Sequence, residues 1–567
     1  PFDNSTVYFG SQFVHKSDDK GQTWTVISPD LTTNDPEKQK QSESGGLTLD
    51  ATGAENHCTL LVIEPSSIEK NMLWAASDDG RVHVTQDGGT TWNDVSKNLK
   101  GLPKGSWITQ IKASNKNKGE ALLVANDYRR FNFTPYAYRT TNYGKTWERI
   151  VDASDAESYA LSIIEDPINS NLMFLGTDDG LYISLNAGKK WEKFDSKIFP
   201  TVSVKDLVIQ PREHDLVIGT FGRAAWVLDD IRPLRALATN IDASTNSTMQ
   251  LFEPPTAYLA SYQQPTGSRF GADAMYHGTN RNYGAMISYF VNPPKKEDKP
   301  KKEKKKSEEP ETKKASKDSI QLMVYDGDRL IRTLKRKTPK EIGIHRWYWN
   351  MDEKGVSRPS RRISKSTRER GGVQVKPGTY RLVMSYGDEK SEQNIIVASD
   401  PRIEVSQENI NQVYEASKTL EGYTAVAASA VKQLVESKQT LADYQKVFKA
   451  NKSDEMKELL KEIKTQTKAI DSLITLYLGK VDKRQGIVRN PESTVMTRIR
   501  NASGYIRSRQ QGITNTETKL LKHVKDELNA ALNKTNKFFE EVWPELKSKV
   551  EAENASRFKE VKQIKLD

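Results

Sequence analysis

Cysteine is almost absent from this chain. Cys58 is the single cysteine among 567 residues, so no disulfide can form within the chain. The small disulfide-stapled folds of many secreted proteins are therefore excluded. We expect Cys58 to occupy a buried strand position rather than to act as a nucleophile, because a free cysteine behaves as a small apolar side chain.

Long apolar runs and metal-binding spacings are also missing. No stretch reaches the ~18 consecutive apolar residues that are typical of a membrane-spanning helix. The seven histidines are scattered singly, and none has the HExxH spacing of a catalytic zinc site. The sequence also has no phosphate-binding loop and no nucleophile elbow. We therefore predict that the chain binds no metal and no cofactor and has no membrane-spanning segment.

The positive charge is concentrated in one place. The formal net charge is +11, and much of it comes from a Lys-rich segment at 293–318 that has almost no apolar residues. Such a segment cannot bury enough surface to offset its ordering entropy, so we predict a solvated, flexible loop. Contact with an acidic polymer or lipid headgroups is the alternative. Because no aromatic residues alternate with the lysines, we do not expect nucleic-acid binding.

One phrase, Ser/Thr-x-Asp/Asn-x-Gly-x-x-Trp, occurs four times. Its polar residue can accept hydrogen bonds from its own turn, its Gly permits a positive φ, and its Trp ends the loop in a core. This is the Asp-box turn, which joins the outer strands of a β-propeller blade. The anchor residues are Asp19, Gly21 and Trp24; Asp87, Gly89 and Trp92; Asn142, Gly144 and Trp147; and Asn186, Gly188 and Trp191.

A strand pair precedes each copy of the phrase, and a fifth pair without the phrase begins at Asp215. Short β-rich units at a spacing of ~45–65 residues are typical of propeller blades. Since propellers have ~4–8 blades, we expect Pro1 not to be the native start and more blades to precede it.

Two shifts in composition predict three domains. We assign residues 1–235 to propeller blades, 236–402 to an immunoglobulin-like β-sandwich that contains the Lys-rich loop, and 403–567 to an α-helical bundle. In the helical part, Ser406 is a predicted N-cap for a helix running towards Glu436. A second helix is predicted after Ser453, and Thr514 with Glu517 forms a predicted capping box.

Several residues are candidates for ligand contact. A segment from Asn126 to Thr140 combines aromatic rings with arginines, which suits the recognition of a carbohydrate or peptide by stacking. The alternative is that these rings pack the segment onto its neighbour. Arg223, in the fifth unit, is a further candidate, although it could instead pair with an acid to close that blade. The ligand-binding candidates are Tyr128, Arg129, Arg130, Phe131, Tyr136 and Arg223.

A hydrolase would need a pair of carboxylates across a cleft. The separation would be ~6.5–9.5 Å for inversion or ~5–5.5 Å for retention. Asp50 and Glu55, in the segment LTLDATGAENHC, are the candidates for such a pair. Asp50 could equally cap a turn.

Several phrases together resemble one protein family. They include ISPDLTT from Ile27, TGAE from Thr52, DDGRVHVTQDGGTTW from Asp78, and GTFGRAAWVLDDIRPL ending at Leu234. The chain resembles the C-terminal half of bacterial sortilin-like Asp-box (BNR-repeat) proteins, which are common in Bacteroidetes and often labelled "glycosyl hydrolase". It departs from the eukaryotic sortilin receptors, which carry a cysteine-rich module after the propeller.

The resemblance implies an extracytoplasmic protein of the periplasm, outer-membrane surface or secreted fraction. Its leading function would be to bind a protein or glycan at the cell envelope without catalysis. The alternative is a glycoside hydrolase of the sialidase or xyloglucanase type that acts on a polysaccharide. A third alternative is a subunit whose helices dock onto a larger membrane-associated complex.

Overall fold

The computed structural model describes residues 2–40, 57–240, 247–260, 281–293, 319–363, 366, 368–449, 453–481, 493–508 and 511–553. Within them the chain is mainly β, with many small antiparallel sheets, and it ends in a helical region. This confirms the coarse fold class. The candidates Asp50 and Glu55 and residues 294–318 of the Lys-rich loop lie outside the described residues.

The chain divides into two compact units, and the three predicted domains stay a prediction. The first unit is formed by Pro1–Phe252, Tyr289–Pro294 and Glu341–Ile344, and the second by Glu253–Ser288, Lys295–Lys340 and His345–Asp567.

Five consecutive antiparallel sheets make up most of the first unit. Sheets 1 and 5 have three strands each and sheets 2, 3 and 4 have four, with the strands adjacent in chain order. The strands are, for sheet 1, β1 (Val7–Gly10), β2 (Val14–Ser17) and β3 (Thr25–Val26); for sheet 2, β4 (Leu60–Pro65), β5 (Leu73–Ser77), β6 (Val82–Thr85) and β7 (Asn93–Asp94); for sheet 3, β8 (Trp107–Ala113), β9 (Ala121–Asp127), β10 (Asn132–Thr140) and β11 (Glu148–Val151); for sheet 4, β12 (Ala160–Glu165), β13 (Met173–Thr177), β14 (Gly180–Ser184) and β15 (Glu192–Lys193); and for sheet 5, β16 (Ser203–Gln210), β17 (Asp215–Phe221) and β18 (Ala225–Leu228).

The inner strands of sheets 2, 3 and 4 are apolar on both faces because each of these sheets packs between two others. In β9, Leu123 and Ala125 pack in the same core as Trp74 of sheet 2. The alternate residues Leu122 and Val124 pack in the core that contains sheet 4. A strand covered on both faces has a continuous apolar run rather than an alternating pattern, as ALLVA has here. After sheet 5, a short helix α1 (Arg232–Thr239) joins the core of sheets 4 and 5.

The remaining strands follow α1. In the first unit, β19 (Met249–Leu251) pairs with the end of β21 (Ala285–Val291). The second unit has a five-stranded sheet in the order β20-β28-β27-β22-β23, in which β20 runs parallel to β28 and the other pairs are antiparallel. The immunoglobulin-like sandwich stays a prediction. The strand bounds are β20 (Ala257–Leu259), β22 (Ser319–Asp326), β23 (Arg329–Lys337), β24 (Gly343–Trp349), β25 (Asp352–Lys354), β26 (Gly371–Gln374), β27 (Gly378–Tyr386) and β28 (Glu389–Ser399).

The helical region begins where the sequence predicts it. The hydroxyl of Ser406 accepts a bond from the backbone N–H of Asn409, Ser453 caps the next helix in the same way, and Thr514 and Glu517 form the predicted capping box. The first helix runs beyond the predicted end at Glu436. The helices are α2 (Gln407–Phe448), α3 (Asp454–Leu478), α4 (Val495–Arg507), α5 (Asn515–Lys537) and α6 (Trp543–Ala552), with a π-helical turn at Phe538–Val542. Sequence reasoning missed α4.

A buried carboxylate joins β25 to α2 within the second unit. Glu353 is 5% exposed, and its Oε1 accepts hydrogen bonds from the Tyr414 hydroxyl at 2.6 Å and from Arg329 Nη2 at 3.0 Å. Lys418 Nζ bonds the other oxygen at 3.2 Å. Burial acts to raise the pKa of Glu353, but these bonds outweigh it and lower the pKa. Within the described helices, none is both long and apolar enough to cross a membrane.

Candidate ligand site at the Tyr128–Arg130 turn

The four repeat turns share one hydrogen-bond pattern. In the first turn, Asp19 Oδ1 accepts the backbone N–H of Thr23 at 2.8 Å, and in the second, Asp87 Oδ1 accepts that of Thr91 at 2.9 Å. Hydrogen bonds within each turn lower the pKa of both carboxyls to about 2. Asn142 and Asn186 accept the equivalent N–H at 2.9 Å. These polar side chains are therefore engaged in holding their own turns.

The turn tryptophans bind the preceding sheet. The indole N–H of Trp92 donates to the carbonyl of Ile27 at 3.0 Å, and that of Trp191 donates to the carbonyl of Ile150 at 3.0 Å. Trp147 packs edge-on against Trp74 of the preceding sheet at 5.7 Å. The glycine of each repeat turn has a positive φ, a backbone conformation that other residues rarely adopt: Gly21, Gly89, Gly144 and Gly188. The repeat turns thus have a structural role.

Trp24 differs from the other three. It is 44% exposed, and its indole N–H bonds the carbonyl of Gly21 in its own turn. Its ring packs against Phe9, which is also exposed.

A different turn, between β9 and β10, brings the candidate ligand residues together. Tyr128–Arg130 form a single 3₁₀ turn, and Phe131 ends it in a left-handed conformation with φ 60°. Trp107 pairs in register with Asn126 near the end of β9, so its indole lies beside the turn. We call the group formed by Trp107, Tyr128, Arg129, Phe131, Phe133 and Tyr159 the Arg129 site.

Aromatic rings surround the guanidinium of Arg129. Its Cζ lies 3.2 Å from the centroid of Trp107 and 4.5 Å from that of Tyr128. Contacts of this kind are favourable because the ring faces carry negative charge. Burial lowers the pKa of Arg129, and interactions with Tyr128 and Asp78 partly offset this.

The rings continue towards sheet 4 and out to solvent. Tyr128 stacks on Tyr159 with centroids 4.6 Å apart and planes 18° apart, and Phe133 lies 6.1 Å from Tyr159. Phe133 is 52% exposed and Phe131 88% exposed, whereas Tyr159 is buried. The site therefore combines a fixed cation and a stacked tyrosine pair with two ring surfaces open to a ligand.

Acids lie at the equivalent turns of sheets 2 and 4, buried in sheet 2 and half-buried in sheet 4. Burial raises the pKa of Asp78, which accepts the backbone N–H of Thr59 at 3.0 Å. For its neighbour Asp79, bonds from Ser77 and Thr33 outweigh the effect of burial and lower the pKa. The Tyr159 pKa is raised by burial and by a hydrogen bond to Asp178. Two adjacent carboxyls thus have pKa values shifted in opposite directions, an arrangement often found at functional sites.

The other predicted ligand residues have different surroundings. Arg130 Nε bonds Asp127 at 2.5 Å, and the ring of Tyr136 is buried under Arg149. Arg223 lies in an exposed turn of sheet 5, where its carbonyl accepts the indole N–H of Trp226. None of these three side chains belongs to the ring of contacts around Arg129.

Cys58 is buried as predicted, but it is not in a strand. It precedes β4 in a left-handed conformation with φ 64°, 3.5 Å from His57 Nδ1. Burial raises the pKa of its thiol, which keeps it protonated. In the described part of the chain, no group of three or more His, Cys, Asp or Glu residues could hold a metal ion.

Sequence reasoning missed three members of this region: Trp107, Tyr159 and Asp78. Trp107 begins β8 and is placed by its pairing with β9, whereas Tyr159 precedes a strand of sheet 4 and Asp78 follows a strand of sheet 2, so the packing of the sheets brings these two near the turn. The recurrence of DDG after the second strand of sheets 2 and 4 (Asp78–Gly80 and Asp178–Gly180) is the signal that could have marked the acids.

One family model matches part of the chain. Residues 136–239 match Sortilin-Vps10 (sortilin, neurotensin receptor 3). This segment is sortilin-like. The match begins within β10, after the Tyr128–Arg130 turn, and ends with α1. It confirms the expected resemblance to sortilin-like propeller proteins. No curated protein sequence matches the chain.

Solved structures resemble the chain only in part. A GH74 enzyme of Niastella koreensis is 16% identical, with 41% of this chain and 35% of that chain covered and a TM-score of 0.31. The GH74 xyloglucanase of Xanthomonas campestris is 17% identical, with 41% and 36% covered and a TM-score of 0.30. The chain thus spans about a third of these enzymes. Because the TM-scores are below 0.5, the matches carry no conclusion about activity.

Proposed function

We propose that this protein binds a protein or glycan partner at the cell envelope, outside the cytoplasm, through the Arg129 site. The observation that carries the proposal is the pair of exposed rings, Phe131 and Phe133, which follow Arg129 closely in the chain, together with the contact of the Arg129 guanidinium with two other rings. Exposed aromatic surfaces next to a fixed polar group are typical of binding sites. The sortilin-like segment at 136–239 supports a protein-binding role.

The test is a binding screen of the whole chain against glycan arrays and envelope protein extracts. Phe133→Ala should abolish or strongly weaken any specific binding, because it removes a ring surface that a ligand would cover. Phe221→Ala is the matched control, since Phe221 is 73% exposed on sheet 5 and lies outside the Arg129 site. Binding that Phe221→Ala removes and Phe133→Ala leaves intact would contradict the proposal.

A glycoside hydrolase is the second candidate function. The raised pKa of Asp78 favours it, because a general acid must hold its proton at the working pH. Polysaccharide hydrolysis by the chain, abolished by Asp78→Asn, would support an enzyme. The original candidates can be tested in the same assay with Asp50→Asn and Glu55→Gln. Ligand binding without product in every variant would instead favour the binding protein.

Three finer features belong to the same proposal. The repeat turns are Asp-boxes of a BNR-type propeller, residues 236–402 form an immunoglobulin-like domain, and the helices of 403–567 offer a surface for assembly into a membrane-associated complex. Co-purification of the full-length protein from envelope fractions, with and without residues 403–567, would test the last of these.

A further inference from the structure

We propose that the Arg129 site takes an acidic glycan, with the carboxylate of a uronic acid on the guanidinium of Arg129 and neighbouring sugar rings against Phe131 and Phe133. This inference rests on the proposed binding function and names its ligand class.

The first argument is the state of the guanidinium. The guanidinium of Arg129 contacts two aromatic rings, with its Cζ 3.2 Å from the centroid of Trp107 and 4.5 Å from that of Tyr128. The side chain of Arg129 is exposed, and one of its interactions is with the Tyr128 side chain. A guanidinium has five N–H donors, so donors remain that can bind a carboxylate in a bidentate geometry, and an anionic ligand would be stabilised there.

The second argument is that Arg129 stands out among the arginines of sheet 3. Arg130 is paired with Asp127 at 2.5 Å and Arg139 with Glu165 at 2.9 Å. Arg149 donates to two backbone carbonyls. Among the residues that the structure describes, Arg129 forms no ion pair with a carboxylate. The one carboxylate that acts on the Arg129 pKa, that of Asp78, is buried and accepts the backbone N–H of Thr59 instead.

The third argument separates a sugar from a peptide. The strands that flank the turn, β9 and β10, are the two internal strands of sheet 3 and are paired on both sides. They offer a peptide no free edge for main-chain hydrogen bonds. What the turn offers instead are the exposed rings of Phe131 and Phe133. Flat apolar surfaces beside a carboxylate-binding group suit a chain of pyranose rings.

The experiment compares two ligands that differ only in charge. Titration calorimetry of the whole chain would use an oligogalacturonate of defined length and its methyl-esterified counterpart, which has the same rings without the charge. The acid should bind at least about tenfold more tightly, as expected for a charge-assisted hydrogen bond. Arg129→Gln should reduce the affinity for the acid to that for the ester. Phe131→Ala should weaken both.

A matched control and a competitor make the test decisive. Arg212→Gln should leave both affinities unchanged, because Arg212 is an exposed arginine in the turn between β16 and β17 of sheet 5, where it pairs with Glu213. Equal affinity for acid and ester, an unaffected Arg129→Gln variant, or stronger binding of an oligoglutamate peptide would each overturn the inference. If the ester or the peptide binds and Phe133→Ala removes that binding, the proposed binding function stands without the acidic glycan.

Discussion

Replacing Trp191 by phenylalanine should destabilise the first unit by about 3 kcal/mol, whereas the same replacement of Trp24 should cost about 1 kcal/mol or less. Both tryptophans occupy the last position of a repeat turn. Trp191 is 5% exposed and donates its indole N–H to the carbonyl of Ile150 in the preceding sheet. Trp24 is 44% exposed and bonds its own turn.

The magnitude has two parts. Without the indole N–H, the buried carbonyl of Ile150 loses its indole donor, which costs about 1–3 kcal/mol. The smaller phenylalanine ring also buries less apolar surface and leaves a void, which adds about 1–2 kcal/mol. At Trp24 neither part applies in full, because the ring is half-exposed and water can replace the lost bond.

Hydrogen exchange is the suitable assay, because a chain of two units need not unfold in one transition. Peptides covering residues 148–193 should exchange faster in Trp191→Phe than in the wild type. Peptides from sheet 1 should be little changed in Trp24→Phe. Equal effects of the two substitutions would refute the reasoning, because they would show that the contact with the preceding sheet does not contribute to stability.

Three further outcomes are expected. Gly89→Ala should destabilise the first unit by about 2 kcal/mol or more in urea unfolding, because the added Cβ would lie 2.6 Å from the backbone carbonyl oxygen of Ile27. The control is Gly101→Ala, which should cost only about 1 kcal/mol, because Gly101 also has a positive φ but has open space around it. Hydrogen bonds, chiefly from Thr91, lower the pKa of Asp87 from 3.8 to about 2, so the stability that the ionised carboxylate contributes is complete above pH 3.8 and is lost as the pH falls towards 2. The difference in unfolding free energy between the wild type and Asp87→Asn should therefore narrow from pH 4 to pH 2. A difference that stays constant over this range would contradict the prediction. Tyr414→Phe should destabilise the second unit by about 2 kcal/mol, because it removes the 2.6 Å hydrogen bond to the buried carboxylate of Glu353. An unchanged urea midpoint, followed by the helical circular-dichroism signal, would show that this hydrogen bond does not contribute to stability.

Much of the local structure could be predicted from the sequence. The strand pair before each repeat turn, the pair that begins at Asp215 and the caps at Ser406, Ser453 and Thr514 lie where the residue pattern predicts them, whereas the first strands of sheets 3–5 were not predicted. The helix α4, which contains Gly504, was missed, although a Thr494–Thr497 capping box precedes it. Cys58 was expected in a strand, but it lies in a left-handed turn. Propensity therefore failed where tertiary packing tolerated a glycine or held a strained backbone.

The candidate site could be predicted only in part. The sequence alone determined the repeat turns, because the bonds that shape them join residues at most four positions apart, such as Asp19 and Thr23. It also placed Tyr128 and Arg129 on one insertion. Only the tertiary structure decided that Trp107 lies under the guanidinium and that Tyr159 stacks on Tyr128. These partners come from other strands or another sheet, and which side chains meet across two sheets depends on strand register and sheet packing rather than on any local pattern.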